Sequence, residues 1–132
     1  MSRGALLYRC VIPGKPVTKK NSQQILVNKK TGMPFVAPSK AYKDWETMAG
    51  YRLGRKPSEP LQSRVEVVCL FYRQTLRAID LPNALNAADD MLVHYGILAD
   101  DNCNIIVSHD GSRVLYDKEQ PRTEIEIYEY KE

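Results

Sequence analysis

A one-sided apolar stripe between Leu81 and Tyr95 most constrains what this chain can fold into. Asp80 precedes the stripe as a good N-cap, and Pro82 falls in the first turn, where its missing N–H does no harm. Gly96 follows the stripe and suits the left-handed position just past a helix. The sequence therefore predicts an amphipathic helix over residues 81–95. The residues that form its apolar face at helical spacing are Leu81, Ala84, Leu85, Ala88, Met91, Leu92 and Tyr95.

The segment after this helix can carry carboxylates back toward the helix start. Fifteen helical residues rise about 22 Å, and the five extended residues 97–101 return by about 16 Å. We therefore expect Asp100 and Asp101 to lie near Asp80. Clustered carboxylates repel one another unless a proton or a cation lies between them, and Mg²⁺ prefers oxygen ligands. The cluster is either a metal site or, alternatively, a helix cap at Asp80 and a solvated turn at Asp100 and Asp101.

Two further acids, Asp89 and Asp90, lie inside the predicted helix. Asp90 is ten residues beyond Asp80, about 15 Å by helical rise, so the two carboxylates cannot bind one ion. We therefore exclude Asp90 from the candidate metal site and expect it to lie beside His94, its i+4 neighbour. Asp89 is expected to face solvent or the flank of the helix.

The composition is that of an ordinary globular protein. The 132 residues suit one domain, and 43% are hydrophobic and 27% charged. The chain has three cysteines, Cys10, Cys69 and Cys103, and their spacing is not that of a zinc finger. We therefore expect free thiols in a reducing cytoplasm, with Cys10 and Cys69 in the core. No apolar run is long enough to cross a membrane, and residues 1–4 lack the apolar segment of a secretory signal.

The net charge of +3 is unevenly divided along the chain. Residues 1–59 carry twelve Lys and Arg against three Asp and Glu, whereas residues 60–132 carry seven against thirteen. A basic half can hold a polyanion, and an acidic half repels phosphate unless a metal or the basic half intervenes. The division suits a metal-dependent nuclease, although an unevenly charged surface without that function is commoner.

Several catalytic classes are excluded by their missing motifs. The chain has no nucleophile elbow and no phosphate-binding glycine loop. His94 and His109 are too few and too far apart for a zinc site or a Ser-His-Asp site, so we assign neither histidine a catalytic role.

The remaining periodicity predicts an α+β fold in a single domain over residues 1–132. Ser39 can cap a helix over residues 39–53 that buries Trp45 in the core rather than exposing it to stack on bases. This helix and the helix over 81–95 are expected to pack on a mixed sheet of about four main strands, beside a short hairpin. Residues 111–122 are expected to be a hairpin loop. The predicted strands are Leu6–Ile12, Val65–Phe71, Asn104–His109 and Thr123–Tyr130, and the hairpin strands are Gln24–Asn28 and Met33–Ala37.

Three groups of basic residues are candidates for nucleic-acid contact. The first lies in a polar loop, the second at the hairpin tip, and the third just before Asp80. Lysine and arginine in such positions suit phosphate oxygens, although a solubilising role for the loops is the alternative. The candidates are Lys15, Lys19, Lys20, Lys29, Lys30, Arg73 and Arg77.

The motif Asp80-Leu-x-Asn83, followed by a helix containing Asp90-Met-Leu92 and by Gly96-Ile-Leu-Ala-Asp-Asp101, resembles the active-site segment of the RusA family of Holliday junction resolvases. The similarity is to the phage and prophage branch. It extends weakly to Ile12–Ser22 and to the pattern Ser39-x-x-Tyr42. The spacing from Asp80 to the aspartate pair is the specific part of the resemblance.

The resemblance implies a set of site residues. In the family, both aspartates of Asp-Leu-Asp-Asn and the last aspartate of the later pair are taken as Mg²⁺ ligands, and a lysine aids catalysis. Pro82 occupies the position of the family's second aspartate, and Asn86 occupies that of its lysine. Proline cannot coordinate a metal, and asparagine carries no ammonium group. Either neighbouring oxygens complete a weaker site, or the ion binds poorly. The implied catalytic residues are Asp80, Asn83, Asn86, Asp100 and Asp101, with Asp80, Asp100 and Asp101 as metal ligands.

The resemblance implies an endodeoxyribonuclease that uses Mg²⁺, or alternatively Mn²⁺, to resolve four-way DNA junctions by paired symmetric nicks in recombination and repair. A C2 homodimer suits the two-fold symmetry of such a junction. The expected location is the cytoplasm of a bacterial or phage-infected cell. Two alternatives remain, namely a junction- or duplex-binding protein that lost catalysis, and a structural or protein-interaction domain whose acids serve only as caps and turns.

Overall fold

The computed structural model has the predicted α+β architecture, with two helices, a mixed sheet and a separate two-stranded sheet. It describes residues 3–18, 24–37 and 39–131. The elements in chain order are β1 (Leu6–Pro13), β2 (Gln24–Val27), β3 (Pro34–Ala37), α1 (Lys40–Arg52), β4 (Val65–Arg73), α2 (Leu81–His94), β5 (Ile106–Ser108), β6 (Arg113–Tyr116) and β7 (Arg122–Glu129).

The main sheet has the strand order β1-β7-β4-β5, and β6 also pairs with β4. Strand β7 lies antiparallel between β1 and β4, whereas β5 and β6 run parallel to β4. Ile125 opposes Cys10 on one side and Cys69 on the other, and directly opposed residues share a face. All three are buried, so the alternation predicted from sequence places one face of this sheet in the core.

Both helices cover this buried face. Helix α1 contacts β1, α2 contacts β4, and the helices contact each other. Ser39 caps α1 by accepting a hydrogen bond from the Tyr42 backbone N–H at 3.0 Å. Trp45 is buried, as predicted, and the Tyr8 hydroxyl donates to the Leu53 carbonyl at 2.6 Å. The core is therefore a helix layer on a sheet layer, with β1 tied to the end of α1.

Strand β6 differs from the prediction. The expectation that residues 111–122 form only a hairpin loop is wrong, because Arg113–Tyr116 pairs in parallel with Leu70–Arg73 of β4. The main sheet thus has five strands rather than about four. The physical reason is that β6 is short and has no buried face, so its sequence carries no alternating pattern. Its pairing with β4 forms only in the tertiary structure.

The cysteines follow the prediction. All three are free thiols, and Cys10 and Cys69 are buried while Cys103 is exposed. Burial raises the pKa of the Cys10 thiol to about 11 and also raises that of Cys69. These two thiols therefore behave as small core residues. Among the described residues, no helix combines the length and apolarity that crossing a membrane requires.

Candidate functional site

The start of α2 is organised by Asp80 and Asn83. One carboxylate oxygen of Asp80 accepts from the Asn83 backbone N–H at 3.3 Å, and the other accepts from the Asn83 side-chain amide at 2.8 Å. Asn83 is buried, whereas Asp80 is exposed. Asp80 is thus the predicted N-cap, and Asn83 holds its carboxylate in one orientation.

We expect Asp80→Ala to lower the free energy of unfolding by about 1 kcal/mol, because the first turn of α2 loses its cap. Asp80→Asn should retain most of this stability, since asparagine caps about as well as aspartate. Urea denaturation of both variants measures the difference. Equal destabilisation by alanine and asparagine would contradict the capping role. The asparagine variant therefore separates any chemical role of the Asp80 charge from its role in folding.

The end of α2 is a tight reversal at Gly96. Gly96 has φ +75°, and the backbone N–H groups of Ile97 and Leu98 both donate to the Leu92 carbonyl, at 2.9 and 3.2 Å. Leu61 then receives the returning chain, donating to the Ile97 carbonyl at 2.9 Å and accepting from Ala99 at 3.0 Å. The predicted reversal is confirmed. These bonds hold the returning segment against Leu61, 20 residues before α2 begins.

Asp101 comes out of this segment beside the second half of α2. It lines a cavity of about 390 Å³. Burial raises the pKa of the Asp101 carboxyl, and a hydrogen bond with Asp100 and the charges of Asp90 and Asp89 raise it further. Asp101 therefore lies on one cavity with Asp90 and has acidic neighbours that disfavour its charged form. The residues that line the cavity are Tyr42, Lys43, Glu46, Asp90, Val93, His94 and Asp101.

The structure shows where both acids inside α2 lie. Asp90 lines one cavity with Asp101 and with His94, the neighbour expected for it. Its exclusion from an ion shared with Asp80 stays a prediction. The returning chain is bound to Leu61, and Asp101 lines a cavity with residues from the second half of α2. The expectation that Asp89 faces solvent or the helix flank is wrong. Asp89 is 5% exposed, and its carboxylate contacts the His109 ring.

The donor chemistry of this region suits a hard divalent cation, but no complete ligand set is assembled. Within residues 3–18, 24–37 and 39–131, no three His, Cys, Asp or Glu residues form a group able to hold a metal. Asp80, Asp100 and Asp101 therefore do not form the expected three-carboxylate cluster. Mg²⁺ is commonly held by one or two carboxylates, with water and substrate phosphate completing its shell. Asp101 and Asp90, which line one cavity, are candidates for such an arrangement.

The other residues singled out from sequence are distributed around the domain. Asn86 is exposed on α2, and Lys15 is exposed after β1. Lys29 and Lys30 are exposed in the turn between β2 and β3. The Arg73 guanidinium donates to the Arg77 carbonyl, and Arg77 is exposed. Lys19 and Lys20 lie outside the described residues. Contact of these side chains with nucleic acid stays a prediction.

Comparison with protein-family models decides the family. Residues 13–128 match the model described as Endodeoxyribonuclease RusA, which covers nearly the whole chain. The chain belongs to the RusA family. A search of curated proteins found no match. The match includes both helices of this RusA family member and both ends of its motif, Asp80 and Asp101. The resemblance stated from the sequence is thereby confirmed, and with it membership of a family of endodeoxyribonucleases.

Sequence reasoning missed the contact between Asp89 and His109 in this RusA family member. One signal was present, because Asp89 follows Leu85 by one helical turn and so borders the apolar stripe of α2. An acid at that position is buried if the neighbouring strand supplies a partner. The partner, His109, lies 20 residues later, and no local pattern links the two positions.

Proposed function

We propose that this protein is a Mg²⁺-dependent endonuclease that resolves four-way DNA junctions by paired symmetric nicks and acts as a homodimer. The observation that carries the proposal is that Asp101 and Asp90 line one open cavity, where burial and the neighbouring aspartates raise the pKa of the Asp101 carboxyl. This arrangement lies within the segment matched by an endodeoxyribonuclease family.

Electrostatics supports a cation at this position. Burial and the neighbouring aspartates raise the pKa of the Asp101 carboxyl, and a cation bound beside it would stabilise its charged form. A DNA phosphate approaching the same carboxylates is repelled unless a positive charge intervenes. Lys43, which is exposed and lines the cavity, supplies one such charge, and a divalent cation would supply more.

The residues have distinct roles in this proposal. Asp101 and Asp90 would hold Mg²⁺, and Asp80 and Asn83 preserve the start of the helix that carries Asp90. When bound, the ion would polarise the scissile phosphate and lower the pKa of the attacking water. Lys43, Lys29 and Lys30 would contact DNA phosphates. A further ligand role for Asp100 is part of the same proposal, whereas Asp80, about 15 Å from Asp90 by helical rise, would not bind the same ion.

The proposed dimer follows from the shape of the substrate. A four-way junction has approximate two-fold symmetry, and its resolution needs two matching cuts. The described part of each chain would contribute its own Asp90 and Asp101, so a C2 pair would present two equivalent sites to the junction.

The test is cleavage of a labelled synthetic four-way junction, with a linear duplex of identical arm sequence as the control substrate. We expect paired nicks at symmetric positions with Mg²⁺ or Mn²⁺, no cleavage in EDTA, and much slower cleavage of the duplex. Binding of the junction in EDTA is measured in parallel. A protein that binds the junction but cuts it with neither metal would overturn the proposal and leave a junction-binding function in its place.

A further inference from the structure

A buried carboxylate and a histidine connect α2 to the end of β5. His109 Nε2 lies 2.9 Å from one oxygen of Asp89 and 3.1 Å from the other. The Asp89 side chain is 7% exposed and that of His109 is 28% exposed. Burying a carboxylate is costly unless it is paired, so this contact is needed to retain Asp89 in the core.

The pair joins the two chain segments that carry the candidate site. Asp89 precedes Asp90 in α2, and His109 follows β5, which begins five residues after Asp101. The segment bearing Asp101 is held at one end by Leu61 and at the other by the pairing of β5 with β4. The contact between Asp89 and His109 adds a direct side-chain connection between this segment and the helix.

We propose that Asp89 and His109 are positioning residues that hold the Asp90 and Asp101 carboxylates at a fixed separation. The inference rests on the proposed function. Carboxylates repel each other, so the segments that carry them separate unless other contacts oppose this. Misplacement of about 1 Å at a reacting centre can slow a reaction about a hundredfold. Neither Asp89 nor His109 needs to touch the substrate for this role.

Two substitutions of Asp89 distinguish its positioning role from an effect of its charge. Asp89→Asn keeps an oxygen that accepts a hydrogen bond from His109 and removes the charge. Asp89→Leu has a similar size and removes the acceptor. The matched controls are Asp44→Asn and Asp44→Leu on α1, where Asp44 is exposed and accepts from Lys40 at 2.7 Å.

Single-turnover cleavage of the junction is the first measurement. We expect Asp89→Leu to lower the cleavage rate constant between about tenfold and a hundredfold while the junction Kd in EDTA changes less than about twofold. Asp89→Asn should retain the rate to within about threefold, and both Asp44 variants should match the wild type. Equal losses in Asp89→Asn and Asp89→Leu would overturn the positioning role, because they would assign the effect to charge.

Cys103 provides a readout that does not depend on activity. It is exposed in the segment between Asp101 and β5, whereas Cys10 and Cys69 are buried, so a nitroxide reagent will label Cys103 selectively. We expect the electron paramagnetic resonance spectrum to show a more mobile nitroxide in Asp89→Leu than in Asp89→Asn or the wild type. Unchanged mobility in Asp89→Leu would overturn the inference. This measurement decides it even if the wild type does not cleave junctions, a result that would overturn only the proposed function.

A double variant covers the case in which Asp89→Leu does not fold. Asp89→Leu combined with His109→Leu replaces the buried pair by apolar side chains, an exchange that proteins often tolerate. The connection between α2 and β5 then lacks its hydrogen bonds while the core stays filled. The same increase in nitroxide mobility and the same loss of cleavage rate are expected, and wild-type values for both would overturn the inference.

Discussion

Asp101→Asn is expected to slow junction cleavage by about a hundredfold or more. Asparagine has the same shape as aspartate and keeps one carbonyl oxygen, but it lacks the negative charge that would hold the cation. Asp101 lines the candidate cavity, and burial together with the neighbouring Asp100, Asp90 and Asp89 raises the pKa of its carboxyl, so removing its charge affects the proposed site most directly. Single-turnover cleavage with saturating protein measures the loss.

Junction affinity distinguishes this effect from a loss of folding. Asp101 is exposed, and removing its charge reduces repulsion of DNA phosphate, so the Kd in EDTA should stay the same or become smaller. Asp44→Asn, which removes an exposed charge from α1, is the matched control and should cleave as the wild type does. Cleavage by Asp101→Asn at the wild-type rate would contradict the role of Asp101 as the central carboxylate.

Phe71→Ala is expected to lower the free energy of unfolding by about 3–5 kcal/mol. Phe71 is 1% exposed and lies in β4, where it pairs with Thr123 of β7 and Val114 of β6. Its truncation leaves a cavity at the centre of the sheet, and the surrounding strands can fill it only in part. The shift of the urea midpoint at constant slope measures the change.

The chain contains a matched control for this substitution. Its other phenylalanine, Phe35, lies in the two-stranded sheet and is 46% exposed. We expect Phe35→Ala to change the free energy of unfolding by about 0.5 kcal/mol or less, as for most surface substitutions. Comparable effects of the two substitutions would mean that β4 is not the centre of the core.

The helices and the long strands could be predicted from the sequence because they follow local rules. Helix α2 matches the predicted span to within one residue, since its stripe, its cap at Asp80 and its stop at Gly96 are contiguous. Alternation in Val65–Phe71 predicted β4 because one side of that strand is buried. Strand β6 was not predictable in this way, because backbone pairing with β4 stabilises it and its side chains carry no pattern.

Some features of the candidate site also follow from the sequence, whereas others depend on the tertiary structure. The sequence by itself determined the family, through the spacing from Asp80 to Asp101, and it determined the cap that Asp80 forms on α2. Only the tertiary structure decided that Asp101 lines one cavity with Asp90 and that Asp89 is buried against His109. The physical reason is that these neighbours depend on where the returning chain stops. Its hydrogen bonds to Leu61 set that point, and Leu61 is distant from both acids in sequence.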